Sequence, residues 1–137
     1  MGVKIDMLYE GDLRCKLTHG PSGDKILTDA PTDNMGKGEA FSPTDLVAAA
    51  LGSCILTVMG IAAQKNQVNM TGTTADVAKE MMTAPVRRIG KISVILQMAK
   101  GIPKEKRSLL ETAGLNCPVH KSLDHGVEID IRFNYLD

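Results

Sequence analysis

Tryptophan is missing from this 137-residue chain, and aromatic residues make up only 3% of it. Stacking platforms for nucleobases or sugar rings are therefore not expected. A surplus of either charge is missing too, because 16 Lys and Arg balance 16 Asp and Glu. Neither a nucleic acid nor an anionic membrane is then expected as main partner, since both usually demand a basic excess. Cysteine is scarce: Cys15, Cys54 and Cys117 are too few and too scattered for a disulfide-stapled secreted scaffold. The start of the chain lacks a basic stretch followed by a short apolar run, so the expected compartment is the cytoplasm. Ready-made cofactor and hydrolase signatures (GxGxxG, P-loop, GxSxG, HExxH) do not occur, and no cofactor is expected.

What the chain does have is aliphatic. Hydrophobic residues reach 43%, eight of them Met, against 23% charged residues. That content fills a core, and the length sets one domain, residues 1–137, as the expectation. Residues 46–63 carry no charge and are long enough to span a bilayer. They are nevertheless rich in Ala and Gly, interrupted by Ser, Thr and Cys, and no second such run exists. The reading is a buried helix of a soluble protein, not a membrane span.

Period-2 alternation predicts strands at the start: Val3, Ile5, Met7 and Tyr9 on one face, then Leu13, Cys15 and Leu17 inward with Arg14, Lys16 and Thr18 outward. A short third strand begins at Ile26-Leu27, which makes an antiparallel meander. Residues 29–42, rich in Gly, Pro, Asp and Asn, read as an ordered loop. Ser42-Pro43 then signals a helix start, with an acid, Asp45, in the first turn. The helix runs to about Lys65-Asn66. Strands follow near 71–82 and 90–99, the latter with Ile92, Val94, Leu96 and Met98 on one face. Pro103 opens a charged amphipathic helix ending around Gly114, and Cys117-Pro118 opens a short one ending near Gly126. Val127, Ile129, Ile131, Phe133 and Tyr135 alternate in a last strand. The expected fold is α+β, in the order βββ-α-ββ-αα-β.

The central helix also predicts a homodimer. Its length is roughly 34 Å, whereas a compact chain of this size is roughly 37 Å across. Val47, Leu51, Cys54, Val58 and Ile61 cover one side and Leu46, Ala50, Ile55 and Met59 others. A helix apolar all round is expected to be buried all round, and a second copy provides the cover.

Two cysteines stand in unusual places. Cys54 lies mid-helix among Ala48, Ala49, Ala50, Gly52 and Ser53, while Cys117 occupies a capping position before Pro118. From the residues alone, each is either a small buried hydrophobe or a reactive thiol. Dipole reasoning favours Cys117, because free N–H groups at a helix start stabilise a thiolate. Cys15, inward on a strand, reads as core. Arg14 reads as a solvated strand-surface charge, and Arg87-Arg88 as solvent-facing beside a turn. His120 follows Cys117 by one helical turn, but Cys54, Cys117 and His120 lack paired CxxC or HxxxH spacing, so no metal site is expected.

The stretch Phe41-Ser42-Pro43-Thr44-Asp45-Leu46-Val47-Ala48-Ala49-Ala50-Leu51-Gly52-Ser53-Cys54 resembles the central-helix motif of the OsmC/Ohr family, the osmotically inducible protein C and organic hydroperoxide resistance proteins. Asn116-Cys117-Pro118-Val119-His120 resembles that family's second cysteine motif, at a suitable separation. The resemblance spans essentially the whole chain. It implies an intertwined homodimer and a cysteine-based peroxidase acting on organic hydroperoxides or hydrogen peroxide. Cys54 would attack the peroxide, Cys117 would close a disulfide, and a dithiol reductant would reopen it. A mid-helix thiol gains nothing from the dipole and needs a cation. The family draws an arginine from the N-terminal strands, for which Arg14 is the best match, oriented by an acid at the helix start. Here Thr44 stands at the usual acid position and Asp45 follows it, about 100° further round the helix. Arg14 is expected to pair with Asp45 or Glu39, and Phe41, Leu51 and Met59 are the apolar residues offered to a substrate. The alternative on the same fold is a non-catalytic redox sensor or binding protein, and a third reading is a structural homodimer with buried cysteines.

Overall fold

In the computed structural model, which describes residues 2–136, the chain falls into two compact units, one ending at Val47 and one starting at Ala48. The first is the expected meander. Strands β1 (Ile5–Gly11), β2 (Arg14–His19) and β3 (Lys25–Asp29) pair antiparallel in the order β1-β2-β3. The first turn is tighter and later than the Glu10-Gly11-Asp12 reading. Asp12 and Leu13 form it, both at positive φ (53° and 63°), as a primed two-residue hairpin demands. Leu13 therefore sits in a turn, 44% exposed, and not on an inward strand face.

The inward face expected of β1 is not covered. Val3, Ile5, Met7 and Tyr9, the residues read as one face, are all exposed. Alternation assigns side chains to faces, but burial requires a second layer against the face. After β3 the chain folds back on itself. Gly36 and Asn34 donate backbone N–H groups to the carbonyl of Pro31, both at 2.9 Å, around a single 3-10 turn at Thr32–Asn34. Gly36 is obligatory there, since a Cβ would lie 1.7 Å from the Ala30 carbonyl oxygen.

Helix α1 (Pro43–Lys65) begins in the first unit and continues into the second. It is long and apolar enough to cross a membrane by length and composition. It is not buried all round: one stripe, Ala48, Leu51, Gly52, Ile55, Met59 and Ala63, is buried, while Ile61 is 49% exposed. The stripe runs at the helical period because the second unit supplies a partner for one side only.

In the second unit β5 (Arg88–Met98) is the central strand, antiparallel to β4 (Thr74–Met82) and parallel to β6 (Glu128–Tyr135). Ile92, Val94, Leu96 and Met98 form the expected buried face of β5. Ile129, Ile131, Phe133 and Tyr135 of β6 pack against the same core. Parallel neighbours need a crossover, and it is made by α2 (Lys104–Leu115) and α3 (Pro118–Leu123), the latter three residues shorter than read from Gly126. Helix α2 comes close to α1: a Cβ on Gly114 would lie 2.9 Å from Met59 and 3.2 Å from Ile55. Element order and sheet composition match the expected α+β arrangement.

Candidate functional site

Cys54 and Cys117 meet. Cys117 is fully buried and Cys54 packs against the same cluster, close enough for the two thiols to influence each other. Both are free thiols. They come together because α1 lays its buried stripe on the sheet while the crossover brings the α2–α3 junction over it. Asn116 ends α2 by donating its side-chain amide to the Thr112 carbonyl at 2.7 Å. Cys117 then starts α3 as its N-cap, its Sγ accepting the backbone N–H of His120 at 3.4 Å. Pro118 follows at the first helical position, where its missing N–H costs nothing.

The capping role agrees with the sequence reading, but the electrostatic expectation attached to it does not hold. Burial pushes the Cys117 thiol up, the N–H groups of His120 and Val119 pull it down, and the Cys54 thiol adds to the upward push. Desolvation wins over the helix start. Cys117 is thus held as the neutral thiol, beside a partner that is half-buried. The Nδ1 of His120 is buried with no hydrogen-bond partner among the described residues. Among those residues, no group of three or more His, Cys, Asp and Glu is arranged to hold a metal ion.

Arg14 and Asp45, the other two candidates, belong to the first unit. Arg14 is not a free surface charge. It stands opposite Asp29 in the β2–β3 register, with Nη2 at 3.6 Å from Asp29 Oδ2, and it also pairs with Glu39, one of the two acids expected to meet it. Asp45 is engaged in a reciprocal cap: its N–H donates to Ser42 Oγ and its carboxylate accepts the Ser42 N–H, each at 3.0 Å. The residue that sequence reasoning missed is Asp29. It is 1% exposed, and in sequence it looks like one more polar loop residue. The sequence reading set it at the start of the loop 29–42, and only the β2–β3 register of the structure places it opposite Arg14.

The apolar residues offered to a substrate separate. Leu51 and Met59 are sealed in the core at 0% exposure, so neither presents a wall to a ligand, whereas Phe41 is 56% exposed. Cys15 is half-buried, opposite Tyr9 and Thr28. Arg88 is exposed as expected, but its guanidinium donates to the Gly126 carbonyl at 2.5 Å.

A protein-family profile described as OsmC-like protein matches residues 36–132. The chain belongs to the OsmC-like family. A solved structure from Psychrobacter arcticus 273-4, provisionally named an osmotic stress induced and detoxification response protein, is 38% identical over 98% of both chains, with a TM-score of 0.90. The OsmC like protein of Mycoplasma pneumoniae is 14% identical over 100% of this chain and 99% of its own, with a TM-score of 0.81. The organic hydroperoxide resistance protein OhrB of Bacillus subtilis is 16% identical over 98% of both chains, with a TM-score of 0.71. These last two share the OsmC-like fold with the chain. No curated protein matches it in sequence.

Proposed function

We propose that this OsmC-like chain is a two-cysteine thiol peroxidase that reduces organic hydroperoxides or hydrogen peroxide as part of oxidative-stress defence. The observation that carries the reading is the meeting of Cys54 and Cys117 in one cluster, one half-buried and the other buried and held neutral. The names of relatives point the same way, towards detoxification in Psychrobacter arcticus and organic hydroperoxide resistance in Bacillus subtilis.

In the proposed cycle the Cys54 thiolate attacks the terminal peroxide oxygen. The O–O bond breaks, Cys54 is oxidised to the sulfenic acid, and the leaving alkoxide takes a proton to become the alcohol. Cys117 then gives up its proton and attacks the Cys54 sulfur, and hydroxide leaves as water. A dithiol reductant reopens the disulfide by exchange, which fits a reducing compartment such as the cytoplasm. Cys54 is the thiol that can meet substrate, because Cys117 has no exposed surface. Arg14 is proposed as the cation favouring the Cys54 thiolate, with Asp45 fixing the start of the helix that carries Cys54. The working form is proposed to be a homodimer, the second copy covering the flank of α1 on which Ile61 is exposed, and the helix is proposed as the core of a soluble protein.

The test is peroxide consumption with a dithiol in wild type, Cys54→Ser and Cys117→Ser. Wild type should turn over many times, Cys54→Ser should not react, and Cys117→Ser should be oxidised once without closing an internal disulfide. Stoichiometric oxidation of wild type without turnover would favour a sensor and overturn the enzyme reading.

A further inference from the structure

We propose that Asp29 is the positioning residue for Arg14, holding its guanidinium in one place from β3. The proposal rests on the peroxidase reading only for what Arg14 then does.

Three observations converge on this corner of the first unit. Asp29 ends β3 directly opposite Arg14, which begins β2, so the pairing register itself sets an acid against the arginine. Asp29 Oδ2 faces the Arg14 guanidinium and also accepts the backbone N–H of Glu39 at 3.0 Å. The Asp29 backbone N–H donates to the Phe41 carbonyl at 3.1 Å. One residue thus closes the excursion from Ala30 to Phe41 and brings Glu39 to Arg14 as a second arm. On the other side Arg14 follows a turn in which Leu13, a bulky residue, is held at a φ of 63°. Arg14 is therefore constrained from its own strand, from the facing strand and from the loop.

The charge on Asp29 has a specific use here. Its other oxygen, Oδ1, is buried with no hydrogen-bond partner among the described residues. For closing the loop alone an asparagine would serve, since its carbonyl oxygen accepts the Glu39 N–H without placing a charge in the interior. What the carboxylate adds is its hold on a guanidinium. Glu39 is the weaker arm by location, because its side chain is 57% exposed and solvent screens such pairs.

Aspartate 29 to asparagine (D29N) isolates that charge, because it keeps the loop closure. On the full-length 15N-labelled chain the Nε–Hε resonance of Arg14 is assigned by its loss in R14A. Wild type should give a resolved, slowly exchanging signal, and D29N should collapse it into the exposed-arginine envelope while the backbone spectrum stays dispersed. A resolved signal retained in D29N overturns the proposal. Should D29N fail to fold, D29S is the second neutral variant; loss of fold in both makes Asp29 a structural residue and overturns it as well. The second arm follows Cys54 alkylation against pH in a Cys15→Ser, Cys117→Ser background. R14A should slow alkylation about tenfold at neutral pH, D29N should move the profile in the same direction, and D29N should add nothing to R14A. A shift by D29N that persists without Arg14 overturns the positioning role. An R14A profile identical to wild type instead sinks Arg14 as the activating cation, and the resonance still decides what Asp29 does.

Discussion

Cys117 carries the sharpest consequence of any single side chain. Its position as a helix cap was legible, because Cys-Pro followed by a helical turn has few other meanings. Its neutrality was not, because capping and burial pull the thiol in opposite directions and only packing decides how dry the sulfur is. Burial raises the folded thiol above its unfolded value of about 8.5, so as pH rises the unfolded chain releases this proton first. Cys117 therefore contributes stability that is fully present below that value and is lost as pH climbs through the folded one. Denaturant titrations from pH 7 to 10 should show wild type losing more stability with pH than Cys117→Ala. Equal slopes would mean that the folded thiol ionises as freely as the unfolded one. Asp29 is the opposite case. No local pattern marks a polar residue that becomes buried through a partner fifteen positions away in sequence, on the adjacent strand.

At the scale of elements, α1 shows how far periodicity reaches. Its limits were readable from Ser42-Pro43 at one end and the return of charge at Lys65 at the other. Which side is buried was not, because residues apolar on every flank leave the choice to the partner. Two predictions belong here. Removing the cap with Ser42→Ala should cost about 0.5–2 kcal/mol, read as a lower denaturation midpoint, because Ser42 Oγ accepts the Asp45 N–H in a buried setting. An unchanged midpoint would show that the cap is dispensable. Gly52→Ala is the second. The added methyl would lie 2.8 Å from Val77 Cγ2, and a β-branched side chain has little freedom to turn away. Overpacking of about 1–3 kcal/mol should exceed the gain in helix propensity, about 1 kcal/mol, for a net loss. Val77→Ala in the same chain should restore stability, and failure to do so would place the strain elsewhere.

The molecule as a whole was the most legible level in its element order and the least in its assembly. Turn residues and alternation delimit six strands and three helices, but pairing direction depends on where the chain returns, so the parallel partnership of β5 and β6 had no local sign. The same holds for cover: β1 keeps Ile5, Met7 and Tyr9 exposed on a face the pattern marks as inward. A homodimer is the expected solution form, and sedimentation at low micromolar concentration should give twice the chain mass. A stable, folded monomer there would rule it out. The parallel pairing also sets an order of events. β4 and β5 adjoin in sequence and can zip as soon as both exist, whereas β6 has to wait until α2 and α3 have been laid across the sheet. Cys117 sits on that late crossover, whereas Cys54 lies on the earlier α1. A chain still being synthesised therefore holds Cys54 without its neighbour, and the paired thiols become a mark of finished folding.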